Sequence, residues 1–302
     1  MFGLNFNNVG VYVGYSIYIF GGNVDAGTSN STIWKHKPTS GTAAVTGKTL
    51  ANASYSHCSA TLPGGAAYIF GGKGGSGSIF NTIQKWDGTN RNLEASTLTA
   101  AKYEATTTPA NGANLYVFGG WNDTTPVAGT IQKWNGTSRT TEANSILDVY
   151  VRQSSATLND KAYIFSGTDS YVTATIGQIY KYDGTNAMSA VTSTWAFEYG
   201  SVATLGSKIY IFKTGAGTNV ASFDGTTWSS SVLTTPYGSQ YATAQTYDNS
   251  IYIYGGTQGN TANGDNDTTG YDSAITRWNT LAVKTLSLRL PTDIGYTSSA
   301  AV

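Results

Sequence analysis

Tyr68-Ile69-Phe70-Gly71-Gly72 is a short run of large apolar residues closed by two glycines, and the pattern also stands at Tyr18-Ile19-Phe20-Gly21-Gly22 and Tyr116-Val117-Phe118-Gly119-Gly120. Degenerate copies follow at Tyr163-Ile164-Phe165-Ser166-Gly167, Tyr210-Ile211-Phe212 and Tyr252-Ile253-Tyr254-Gly255-Gly256. The leading tyrosines, at 18, 68, 116, 163, 210 and 252, are spaced by 50, 48, 47, 47 and 42 residues. A fixed period of this length belongs to architectures in which each unit cannot bury its apolar surface alone and must stack on its neighbours. Six copies predict six units.

Within each unit the residues read as four strands. A small-residue strand comes first (Ser59 to Leu62, Ser155 to Leu158, Val202 to Leu205), as a crowded centre requires. The second strand is apolar at successive positions (Ile17 to Phe20, Ile209 to Phe212, Ile251 to Tyr254), the pattern of a sheet buried on both faces. The third alternates, as in Ile83-Gln84-Lys85-Trp86, Ile131-Gln132-Lys133-Trp134 and Ile179-Tyr180-Lys181-Tyr182. Asp87-Gly88, Asn135-Gly136, Asp183-Gly184 and Asp224-Gly225 then predict type I′ hairpins to an outer fourth strand. No long helical period occurs. The expected fold is all-β: a six-bladed β-propeller of four-stranded antiparallel blades, with residues 1–302 as a single domain. Tyr296 to Val302 parallels the other first strands, so it is expected to complete blade one and close the ring, in preference to Val9 to Val13.

The chain resembles the kelch-repeat β-propellers, on the six apolar-Gly-Gly elements and on the aromatic third strand with its hairpin, as in Phe223-Asp224-Gly225-Thr226-Thr227-Trp228. It departs from them at Lys213-Thr214, where glycines belong, and at Arg91 and Arg139, where the outer-strand Trp228 has its counterparts. The resemblance implies binding of a protein or ligand more often than catalysis, with the strand-two-to-three loops and the lead-ins to strand one forming the ligand surface.

Hydrophobic residues at 40% and aromatics at 13% suffice for a core, and 36 glycines without a triplet period exclude collagen. Charged residues are 11%, against about 25% in ordinary domains, and 17 basic residues balance 17 acidic ones. A basic face for nucleic acid is therefore not expected. No apolar stretch is long enough to span a membrane and Met1 to Gly14 does not read as a secretory signal. A surface of Thr, Ser, Asn and Gly suits extracellular and virion proteins, so the expected place is a virion or extracellular surface, with a cytoplasmic stage before assembly. The single Cys58 forms no internal disulfide.

Candidate chemistry is sparse. His57-Cys58 is the one available Cys-His pair, but neighbours on a strand point to opposite faces. The copper oxidase among kelch propellers uses two His, tyrosines and a Cys-linked Tyr, and no arrangement here matches it. Ser222 to Trp228 resembles a sialidase Asp turn but lacks the residue between Asp and Gly. His36 on a third strand reads as solvent-exposed. Asp265-Asn266-Asp267 begins a calcium loop whose twelfth position is Thr276, so no metal and no cofactor are expected. Glu104 and Glu198 are unaligned carboxylates that a glycoside hydrolase could use.

Strand direction puts the strand-two-to-three loops (Asn23 to Ser31, Lys73 to Asn81, Trp121 to Gly129, Thr168 to Ile176, Thr257 to Ser273) on the same face as the lead-ins to strand one. That face collects the candidate binding residues Tyr55, Tyr103, Tyr150, Tyr199 and Tyr241 from the lead-ins and Trp121, Tyr171 and Tyr271 from the loops, with His57, Glu104 and Glu198 beside them. Such aromatics suit stacking on sugars or an interface anchor. The expected function is a non-enzymatic recognition or scaffold module, a phage tail or capsid accessory protein that binds a host-surface glycan or a neighbouring protein subunit of a larger assembly. The alternative is a carbohydrate-active hydrolase or lyase with its site at the propeller centre.

Overall fold

The computed structural model describes residues 16–25, 28–38, 40–124, 130–145, 151–165, 167, 177–193, 200–212, 219–234, 242–255, 274–278, 283–289 and 298–301. These residues form 24 strands in six four-stranded antiparallel sheets, with no helix among them. From the centre outward, blade one holds β24 (Ser298–Ala301), β1 (Ile17–Asp25), β2 (Thr28–Lys37) and β3 (Gly41–Thr49). Blade two holds β4 (Cys58–Thr61), β5 (Ala67–Phe70), β6 (Ile83–Trp86) and β7 (Arg91–Leu93). Blade three holds β8 (Thr106–Ala110), β9 (Asn114–Phe118), β10 (Thr130–Trp134) and β11 (Arg139–Ser145). Blade four holds β12 (Ser154–Leu158), β13 (Lys161–Phe165), β14 (Gln178–Tyr182) and β15 (Ser189–Ser193). Blade five holds β16 (Ser201–Leu205), β17 (Lys208–Phe212), β18 (Asn219–Phe223) and β19 (Trp228–Thr234). Blade six holds β20 (Thr243–Tyr247), β21 (Ser250–Tyr254), β22 (Ala274–Trp278) and β23 (Val283–Arg289).

The first strands make the hub: β24 neighbours β4 and β20, and β4, β8, β12, β16 and β20 follow one another round the ring. The last strand therefore closes the propeller, pairing Ile17 with Ala301 and Phe20 with Ser298. Val9 to Val13 lie outside the described residues.

Adjacent blades are joined by the residues that carry the repeat. Strand-two tyrosines meet the third strand of the next blade, four of them edge-on: Tyr18 on Trp86 (5.3 Å between centroids), Tyr68 on Trp134 (5.5 Å), Tyr116 on Tyr182 (5.1 Å) and Tyr163 on Phe223 (5.3 Å), while Tyr210 lies tilted on Trp278 (4.5 Å). The hydroxyl then donates to the hairpin glycine of that next blade, from Tyr18 to Gly88 O (3.1 Å) and from Tyr68 to Gly136 O (3.2 Å). A repeating Tyr and a repeating Asp/Asn-Gly are thus two halves of one contact between blades. Gln84 and Gln132 pin the connections in the same way, their Oε1 atoms accepting the Ala51 and Thr99 N–H groups. Arg91 and Arg139, where the outer Trp is missing, reach back to the Thr49 and Thr97 carbonyls.

Three sequence readings change. The hairpins are not type I′: Trp86 pairs with Arg91 and Trp134 with Arg139, leaving four-residue loops in which the glycine takes the positive φ and the preceding Asp or Asn does not. That side chain instead accepts backbone N–H groups two and three residues on, as Asp87 Oδ1 does from Thr89 and Asn90. His36 is fully buried, because it stands in blade one where Trp86 stands in blade two, against Tyr252 and Tyr254 of blade six. Asn23 to Ser31 is not an open loop throughout, since the β1–β2 ladder continues through Asn23↔Ser29 and Asp25↔Thr28. In the lead-ins, counting back from the residue opposite the strand-two tyrosine, Tyr55 and Tyr103 take the position of Val151 in blade four.

Candidate functional site

The double glycine shapes one face of the disc. Gly71 and Gly72 take φ of +63° and +107°, and the turn drives the chain against the lead-in to the next blade. There Gly72 N donates to Lys102 O at 2.9 Å, and Gly22 N to Ser54 O likewise at 2.9 Å. A Cβ at Gly71 would collide with the Lys102 carbonyl. The chain leaving the glycines then pairs with its own blade's lead-in, Lys73 with Tyr55 and Trp121 with Tyr103, through two backbone hydrogen bonds each. Strand-two-to-three loops and lead-ins therefore share a face, as strand direction requires.

Between blades two and three this face carries a compact polar and aromatic group. Lys73 Nζ lies 2.7 Å from Asp123 Oδ1 and 2.9 Å from Oδ2, and 4.7 Å from the Tyr103 ring centroid. The Tyr103 hydroxyl donates to Asp123 Oδ1 at 2.6 Å. The Lys73 ammonium, and after it the Tyr103 hydroxyl, hold the Asp123 carboxyl below its ordinary value. Tyr103 is 3% exposed, so its ring packs while its hydroxyl fixes Asp123. Tyr55 and Trp121 are half-buried and held by the bridges just described.

Nearer the axis, Ser56, Glu104 and Arg152 occupy one position in blades two, three and four, each with positive φ (52°, 54° and 61°). They are chained by backbone hydrogen bonds, Glu104 N to Ser56 O (2.9 Å) and Arg152 N to Glu104 O (3.3 Å). The side chains of the last two form an ion pair, Arg152 Nε to Glu104 Oε2 at 3.3 Å, with 17% and 7% of their side-chain surfaces exposed.

One residue further, His57 crosses to blade one, its Nε2 donating to Phe20 O at 3.1 Å while Ser54 Oγ lies 3.4 Å from Nδ1. Burial lowers its pKa to about 4, outweighing the Phe20 and Ser54 contacts that raise it. Cys58 turns the other way, into the cluster with Leu115, Val117 and Trp134 of blade three, where burial pushes its thiol up to about 12. The two neighbours thus face apart, and the sulfur is held as the thiol. Lys102, 1% exposed, donates from Nζ to Gly119 O at 3.0 Å, and burial lowers its pKa to about 8.

Of the sequence-selected residues, Tyr55, Tyr103, Trp121, His57 and Glu104 are described, and all lie at this end of blades two and three. Tyr150, Tyr171, Tyr199, Tyr241, Tyr271 and Glu198 fall outside the described residues, as does the Asp265 loop. Lys73, Asp123, Arg152 and Lys102 were not selected from the sequence. The spacing did mark Arg152, which follows Glu104 by the same 48 residues that separate Glu104 from Ser56. Among the described residues no group of His, Cys, Asp and Glu could hold a metal ion, and no helix is long and apolar enough to cross a membrane.

No family model matches the chain, and no curated protein matches it in sequence. Among solved structures the chain is similar to YjhT, with a TM-score of 0.64 and 18% identity over 82% of this chain and 87% of that one. At that identity the likeness bears on the propeller fold alone.

Proposed function

We propose that this propeller, kelch-like in its repeat, is a non-catalytic recognition module of a virion or extracellular surface, binding a host-surface glycan or a neighbouring subunit through the face described above. The observation that carries the reading is the group between blades two and three. Tyr55 and Trp121 are half-exposed aromatics fixed on backbone bridges, beside a Lys73–Asp123 pair whose charges cancel. Rigid aromatics lose little conformational entropy on binding, and a neutral polar surround neither steers nor repels an uncharged ligand. A chain with 11% charged residues supports the same choice of partner.

A carbohydrate-active enzyme would need a second carboxylate facing Glu104, and the group that faces it among the described residues is the Arg152 guanidinium, 3.3 Å away. Trp121→Ala should weaken glycan or partner binding by about 2 kcal/mol or more, the scale of an interface anchor, with the melting temperature nearly unchanged. Thr185→Lys, on the opposite hairpin face, should alter binding by less than about 0.5 kcal/mol. Glycan arrays and pull-downs with both variants check this. Loss of binding in the Thr185 variant with retention in the Trp121 variant would move the functional face to the hairpins. Release of sugar from purified polysaccharides would favour the enzyme instead.

A further inference from the structure

The hairpins to the outer strands carry Asp before their glycine in blades two, four and five, at Asp87, Asp183 and Asp224, but Asn in blade three, at Asn135. The loop is otherwise the same. Asn135 Oδ1 accepts from Thr137 N at 3.0 Å, from Ser138 N at 2.8 Å and from Ser138 Oγ at 3.4 Å. Asp183 Oδ1 likewise accepts from Thr185 N at 3.0 Å and Asn186 N at 2.8 Å. Asn135 is exposed to solvent, and Gly136 has no Cβ to shield the nitrogen between them.

We infer that Asn135 is a site of spontaneous deamidation in the folded protein, which gives blade three the Asp-Gly hairpin of its neighbours. The Gly136 nitrogen gives up its proton to solvent and attacks Asn135 Cγ. The N–Cγ bond forms, the Cγ–Nδ2 bond breaks, and the amide nitrogen leaves as ammonia. Water then opens the five-membered imide, at Cγ to give Asp or at the main-chain carbonyl to give isoaspartate. Two features of the hairpin assist the attack. The ring closed by the hydrogen bond from Thr137 N to Asn135 Oδ1 contains the Gly136 nitrogen, so carboxamide and nucleophile are held on one small loop. The N–H donors on Oδ1 stabilise the negative charge that gathers on that oxygen as the attack proceeds. The Asp product is accommodated without rearrangement, because the same backbone donors already serve a carboxylate in three other blades.

Asn111-Gly112, the other Asn-Gly pair among the described residues, is built the opposite way. Gly112 N donates to both carboxylate oxygens of Asp160, at 3.0 and 3.1 Å. A carboxylate is too weak a base to take an amide proton, so it holds the N–H in place, and its charge repels the one that attack would put on the carboxamide. The Asn111 side chain also lies against Gly184 of blade four, where an added Cβ would find no room.

Peptide mapping by mass spectrometry of the full chain, aged in mildly alkaline buffer, tests this. Asn135 should convert to the acid at least tenfold faster than Asn111, and a more acidic species should grow on anion exchange. In urea the two rates should converge, since both pairs are then ordinary Asn-Gly. Asp160→Gly, which suits the φ of +58° at that position while freeing Gly112 N, should raise conversion of Asn111 severalfold in the folded chain. Asn135→Asp should melt as the unaltered protein does and coelute with the acidic species. An Asn135 that keeps its amide in the folded chain while converting in urea would overturn the proposal, because the hydrogen bonds on Oδ1 would then protect the amide. Equal rates at Asn111 and Asn135 in the folded chain would overturn it too, leaving sequence alone in control.

Discussion

His36 stands where other blades place Trp86, Trp134, Tyr182, Phe223 and Trp278, so the repeat puts an ionisable ring in a position made for an apolar one. Burial lowers its pKa from 6.5 to about 4, and His57 behaves alike. Each imidazole stays neutral in the folded chain down to about pH 4, whereas the unfolded chain protonates it from about 6.5. Acid therefore favours unfolding: the stability is complete above 6.5 and falls by about 3 kcal/mol per histidine as pH drops to about 4. The depressed carboxyls of Asp87, Asp183 and Asp224 titrate below 3.8, outside that window. Urea unfolding between pH 7.5 and 4.5 should show this decline, and His36→Phe should reduce its slope. An unchanged slope would mean that His36 is not buried as a neutral ring. The burial was legible in the spacing, since 36 precedes 86 by the same 50 residues that separate Tyr18 from Tyr68. Strand alternation read alone concealed it, because it cannot tell a surface from a seam between blades.

The glycine pairs and the Asp-Gly hairpins were both visible as elements, but only partly for the physical reasons they exist. The hairpin dipeptide fixed where the chain turns. It did not fix the turn type, because the Asp or Asn side chain supplies hydrogen bonds that stabilise a four-residue loop, as at Asn135 with Thr137 and Ser138. For the glycine pairs, positive φ and close approach are separable. Gly71 has φ +63° and lies against the Lys102 carbonyl, whereas Gly77 has φ +84° with nothing within 4 Å of an added Cβ. Gly77→Ala should cost about 1 kcal/mol, the backbone term alone, and Gly71→Ala about 3 kcal/mol or more, because a backbone oxygen of the next blade must also move. Equal losses in chemical denaturation would show that the double glycine serves φ only, and that the loop face does not depend on blades touching there.

Across the whole molecule, six blades were countable from the tyrosines, and the closing strand was legible because Ser298 to Ala301 repeats the small-residue pattern of the hub. The line of Ser56, Glu104 and Arg152 at the loop end of the hub was not legible as a contact. It arises from residues 48 apart that become neighbours only when blades stack, and no local pattern distinguishes a bonded amide such as Gln84 from an unbonded one such as Gln153. Closure itself is a global property. β24 supplies the inner edge of blade one and lies between β4 and β20, so it joins the first blade to the second and the sixth. Removing it exposes β1 on its inner side and opens the ring at the point where first and last repeats meet, leaving the buried Ile17 and Ile19 beside an unpaired strand edge. Because each blade rests on two neighbours, a single gap releases the constraint on all six. Deletion of residues 296–302 should therefore abolish the single cooperative thermal transition rather than lower it. A truncated chain that melts within a few degrees of the full one, in one transition, would show that another segment fills the vacated hub position.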